Sequence, residues 1–292
     1  MNRKDDHIEQ KQLIMNGPLA QIVALTCHAN AFLQGKTLKR FFPENSTCSF
    51  CDSISFVKLK SSLTGKIRET LIAPSPDEWF RYLEGSGVTD VLLSRQPQNM
   101  EKTRDRMTAG FVGGGGTWTM EVLLPKERCE FWEARWEVWN QKAPDQRIWR
   151  VMYARISQGA TAEVEIPNLY DIKEQLARSL QDIYTFSSRH RLDGFTRTFS
   201  DALNMLSGNA GPHSAYYNDL APENFLSEKA EAILDACQRA WVFGGMGSWN
   251  DMGFKGDEQD RYETVSEQLF QTLTEAIRAA ANSGSKGGEA GN

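Results

Sequence analysis

Up to about Pro167 the chain runs in short apolar-polar alternations rich in β-branched and aromatic residues, broken by Gly, Pro and Ser. Period two is the pattern of strands, whose successive side chains leave opposite faces of a sheet. The runs are Ser53–Leu59, Glu69–Ala73, Val88–Ser94, Thr117–Leu124, Phe131–Trp139 and Ile148–Ile156. One helix interrupts them at 75–87, where Pro76 suits the first turn, Asp77 and Glu78 suit its dipole, and Gly85 or Gly87 ends it. Residues 18–35 fit two templates. Val23, Leu25, Cys27, Ala29, Ala31 and Leu33 alternate as in a strand, while Pro18 and Gly35 bracket a helix.

After Pro167 the period becomes that of a helix. Asp171 and Glu174 form a capping box, followed by a stripe of Ile172, Leu176, Leu180 and Ile183. Phe195, Phe199, Ala202, Leu203 and Leu206 make a second stripe, and 207–214 reads as a loop. Ser227 caps a third helix (Ala230, Ile233, Leu234, Cys237, Trp241), and the longest runs from Gln259 to Asn282. The expected class is α+β: a mostly antiparallel sheet in the N-terminal half, then a C-terminal bundle of about four helices. The divisions are a polar extension (1–15), a mainly antiparallel β domain (16–166), a helical domain packed on the sheet (167–282) and a disordered low-complexity tail (283–292). No regular alternation of strand and helix supports a doubly wound nucleotide fold or a (β/α)₈ barrel.

Composition narrows the function classes. With 292 residues and a mean hydropathy of −0.50, the chain has no apolar stretch long enough to span a membrane. The polar start MNRKDDHIEQKQ lacks a secretory core, and five cysteines are an odd count for a disulfide framework, so reduced thiols in a cytoplasm are expected. The net charge of −5 is uneven: residues 1–166 carry 22 Lys and Arg against 20 Asp and Glu, and 167–292 carry 11 against 18. The basic clusters (Lys36, Lys39, Arg40; Lys58, Lys60, Lys66, Arg68; Arg104, Arg106) are short and mixed with acids, which weighs against grip on nucleic-acid phosphates.

Several segments carry candidate chemistry. Cys48 and Cys51, separated by two residues, form half a zinc site, with Cys27 or His28 as a third ligand and Cys129, Cys237 or His213 as a distant fourth. No second paired motif accompanies them, and buried apolar thiols explain them as well. Gly113, Gly114, Gly115 and Gly116 precede Trp118; they lack the Lys-Ser/Thr of a phosphate loop and read as a hairpin or as a ligand- or partner-binding loop. GGMGSWND (244–251) sets Trp249, Asn250 and Asp251 together, either as a polar site or as a packed seam. Residues 131–156 read as a Trp-rich hairpin whose second strand is covered on both faces, with Arg150 in need of Glu133 or Glu137. Of the histidines, His7, His190 and His213 fall in polar contexts, and only His28 lies in an apolar segment. No nucleophile elbow or HExxH helix occurs. The function expected by elimination is a non-catalytic binding or adaptor subunit with protein partners. The alternatives are an enzyme with His28 and Asp251 in a site between the halves, and a zinc-supported nucleic-acid-associated protein.

Overall fold

The structure, a computed structural model, describes residues 15–61, 67–98, 104–160, 166–209, 216–245 and 247–287. Residues 1–14 of the expected extension 1–15, with His7, the loop residues 210–215 with His213, and tail residues 288–292 lie outside them.

The fold is α+β, with a six-stranded sheet in the order β2-β1-β6-β5-β4-β3. The strands are β1 (Cys51–Ser61), β2 (Ile67–Ala73), β3 (Asp90–Gln96), β4 (Thr117–Leu124), β5 (Arg128–Val138) and β6 (Trp149–Ala160). All pairs are antiparallel except β1 with β6. The helices are α1 (Gly17–Leu33), α2 (Pro76–Gly85), the short α3 (Asp105–Thr108), α4 (Leu169–Arg189), α5 (Asp193–Leu206), α6 (Glu228–Ala240) and α7 (Asp257–Asn282). The four helices expected after Pro167 are all present. The first starts earlier than the Asp171–Glu174 box predicts, because Asn168 accepts from Tyr170 N and caps it there.

The ambiguous segment 18–35 is a helix. Asn16 caps it by accepting from Leu19 N at 2.8 Å, and every residue from Leu19 to Ala31 is buried. A helix apolar on all sides is a core helix, and α1 packs on β3, β4 and β5 while also touching α7. Its buried Gln21 and Thr26 are both hydrogen-bonded. Gln21 donates to Thr47 O and accepts from the Tyr153 hydroxyl, and Thr26 donates to Ile22 O.

Beneath α1 and α2 the sheet carries an aromatic stack. Phe56 lies parallel to Trp79 at 4.4 Å and to Tyr153 at 5.3 Å, with Trp132 edge-on to Phe56 and Trp79. Trp132 is fully buried, so the hairpin's aromatic face is core. The second hairpin strand is not covered on both faces: Val151 and Tyr153 are buried, while Met152 and Ala154 are half-buried and Ile156 exposed. Arg150 departs from expectation too. It is half-exposed, pairs with Asp52 at 2.9 Å and lies over the Trp139 ring, so it needs neither Glu133 nor Glu137. The buried arginine of β6 is Arg155, which pairs with Glu130, and Gln158 also donates to that carboxylate.

One hydrophobic core joins both halves, from Ile54 and Val91 to Leu176 and Leu273. Two asparagines tie them across the edge strand β3. Asn30 of α1 accepts from Val91 N at 2.8 Å and donates to Val91 O at 2.7 Å. Asn282, the last residue of α7, does the same for Leu93 at 2.7 and 2.9 Å. Each amide reproduces the donor-acceptor pair of an adjoining strand. Order continues into the expected tail: Ser283 and Ser285 are buried, and Lys286 N donates to Asp90 Oδ1. Among the described residues no helix is long and apolar enough to cross a membrane.

Candidate functional site

The residues singled out from the sequence fall in different places, not in one site between the halves. Trp249 is fully buried, donating from Nε1 to Ser266 Oγ at 2.7 Å and ringed by Phe195, Phe199 and Tyr262. Asn250 grips buried Arg106, accepting from Nη1 at 3.0 Å and donating to its carbonyl at 2.8 Å. Arg106 also pairs with Glu263 on α7. Asp251 is exposed and accepts from Gly247 N within its own loop. The GGMGSWND segment is thus a packed seam, and its polar groups are spent on the fold.

The cysteines do not converge. Cys27 Sγ faces Ala281 O, Cys48 Sγ faces Phe41 O, and Cys51 Sγ meets Gln21 and Thr47 O. Burial pushes the Cys27 thiol up to about 12 and Cys51 to about 11, and drives Cys48 still higher, so all three stay protonated at neutral pH. Among the described residues no group of three or more His, Cys, Asp or Glu is placed to hold a metal ion.

The glycine loop does build a site. It folds back tightly on α3: Gly114 N donates to Phe111 O at 3.1 Å, Gly115 N to Thr108 Oγ1 at 3.0 Å, and Gly115 O accepts from Arg95 Nε at 3.0 Å. The N–H groups of Gly114 and Gly115 are therefore used internally and are not offered to a ligand. A Cβ on Gly114 would collide with Thr108 O, and Gly116 holds φ +95° with the Arg95 side chain against it. These glycines exist for close packing, which sequence alone reads as flexibility. Arg95, paired with Asp105 and lying 6.0 Å from the Trp118 ring centre, locks the loop to the sheet.

Gly113, Gly114, Gly116 and Trp118 then line a cavity of about 90 Å³ together with Ile22 and Trp136. Asn16, which caps α1, also lines it and donates to Ala109 O. Three predicted glycines and the predicted tryptophan thus share a wall. Phe111 and Val112 beside it are 59 % and 46 % exposed, and Phe111 belongs to the lining.

His28 opens elsewhere, onto a cleft of about 1000 Å³ between the segment 36–45, the loop 217–226 and α6. Neither loop has apolar periodicity, and the sequence marked this cleft only through His28 and the basic cluster Lys36, Lys39 and Arg40. Comparison with protein-family models, with curated proteins and with solved structures finds no match to this chain.

Proposed function

We propose that the chain works as a binding subunit that receives one apolar side chain of a protein partner in the cavity at the glycine loop. The observation that carries this reading is the cavity's size set against its rim. At about 90 Å³ it is well below the roughly 300–1,000 Å³ of small-molecule and cofactor sites. It is also smaller than the ~150 Å³ cavity that accepts a benzene ring. Such a volume accommodates a single anchor side chain. The exposed Phe111 and Val112 flank it and would be buried by the same partner, adding apolar contact beside the anchor. A cytoplasmic setting, in which all five buried thiols remain reduced, goes with this reading.

The test is native mass spectrometry of the endogenous protein beside a Phe111→Ser/Val112→Ser variant, both side chains being exposed and dispensable to the core. The expected result is a stoichiometric protein partner on the wild type whose affinity falls by at least about 30-fold, or ~2 kcal/mol, in the variant. A partner held equally by both proteins, or a wild-type chain that carries no partner, refutes it.

A further inference from the structure

The cleft at His28 is a second built site, independent of the glycine-loop cavity. Three buried or half-buried side chains fix its walls by holding loop backbone. Asp77 accepts from Phe41 N and Phe42 N at 2.9 and 3.2 Å, which sets the segment 36–45. Asn45 donates to Asp219 O at 2.9 Å while the Asp219 carboxylate accepts from Ser46 N, so this segment and the opposite loop hold each other. Gln238 of α6 accepts from Tyr217 N and donates to Tyr217 O, both at 3.1 Å. Walls clamped in this way are preorganised, which lowers the ordering cost of binding.

On the floor, His28 is 8 % exposed, with its ring edge-on to Phe41. Its Nδ1 lies 2.8 Å from Ala24 O. A carbonyl only accepts, so the proton sits on Nδ1 and the Nε2 lone pair has no partner among the described residues. Burial lowers the basicity of the ring and keeps it neutral. On one wall, Lys36, Lys39 and Arg40 lie within five residues, exposed and with no ion-pair partner among the described residues. Five carboxylates line the rest of the cleft: Glu44 on the same segment, Asp219 and Glu223 on the opposite loop, and Glu231 and Asp235 on α6.

We propose that this cleft binds a small phosphorylated polyol, with its phosphomonoester on Lys36, Lys39 and Arg40 and one of its hydroxyls donating to His28 Nε2. Cations with no ion-pair partner among the described residues suit a phosphomonoester dianion, whose three terminal oxygens engage more of them than a single carboxylate does. The hydroxyls of a polyol donate to Asp219 and Glu223, which repel any further anionic group. The cleft's volume is at the upper end of the small-molecule range.

Ribose 5-phosphate is the probe. The full-length chain, labelled with ¹⁵N, is titrated while the His28 ring nitrogens are followed by long-range proton-nitrogen correlation. The free protein is expected to show the Nδ1-protonated tautomer. Added probe should shift Nε2 saturably and leave Nδ1 in place. A Lys36→Gln/Lys39→Gln/Arg40→Gln variant, altered only at exposed positions, should bind at least about ten-fold more weakly. Inorganic phosphate and ribose should each bind more weakly than ribose 5-phosphate. An Nε2-protonated ring, absence of a saturable shift at millimolar probe, or undiminished binding by the triple variant overturns the proposal. So does inorganic phosphate binding as tightly as the probe, which would make this an anion site only.

Discussion

Replacing Asn30 by alanine tests how the sheet is closed. Asn30 is 1 % exposed, and its amide is the partner of both Val91 N and Val91 O. Truncation orphans a donor and an acceptor on the outer side of an edge strand packed under α1. Each buried group left without a partner costs about 1–3 kcal/mol, so the pair sets a range of about 2–6 kcal/mol. The space vacated by the amide admits water to a polar spot, which places the expected loss near the lower end, about 3 kcal/mol. Urea denaturation measures it, and hydrogen exchange locates it. The Val91 amide should exchange faster, while Leu92, whose N–H faces β4 in the alternating ladder, should stay protected. Asn30→Asp adds a check of sign. Its carboxylate would face Val91 O unprotonated, so this variant should be the weaker of the two at pH 7 and regain stability as acid restores a donor. A loss under about 1 kcal/mol in Asn30→Ala, no more than an ordinary hydrogen bond, with Val91 exchange unchanged, would refute the account of β3 as a strand closed by side chains.

Further expectations follow from the buried groups. Trp249→Ala should cost about 3–5 kcal/mol in a denaturant titration, whereas exposed Asp251→Asn should stay within about 0.5 kcal/mol. The five buried thiols should resist a thiol reagent at pH 8 in the native protein and react together once it is unfolded, as a colorimetric count will show. The Glu258 carboxyl is held below the usual carboxylate range by a hydrogen bond from His190 and then by Arg189. Its contribution is present above ~4.3 and lost as pH falls through its lower folded value, so Glu258→Gln should flatten the acid limb of the stability curve. His28 is depressed by burial, so below ~6.5 the unfolded chain takes up a proton that the folded one refuses, and stability falls with pH. His28→Gln should remove that slope.

Strands and amphipathic helices were legible in the sequence because each shows one face to water. Every expected β run became a strand, and the stripes of α4 to α7 lie inward. α1 was not legible for the same physical reason. With Ala24, Thr26, His28 and Asn30 buried as fully as Val23, Leu25, Cys27 and Ala29, no face differs from another and a helix displays a strand's alternation. The glycine loop was legible as a place but not as a geometry, since its close packing depends on Arg95, Thr108 and Ala109, which adjoin it only in the fold. The clamping roles of Asp77, Asn45 and Gln238 carried no signal, because a polar side chain that holds distant backbone looks like any surface or helix-start residue until its partner is known. Asn250 and Trp249 were noticed for their chemistry, but that chemistry is used up inside the fold.

The closure of β3 also bears on the order in which the protein is made. Leu93 obtains its outer partners from Asn282, 189 residues later. A ribosome therefore releases the strands long before the helix that completes them exists, and during that interval the Leu93 end of β3 is a bare edge open to any neighbouring chain. Nascent chains in this interval are the ones a chaperone must shield.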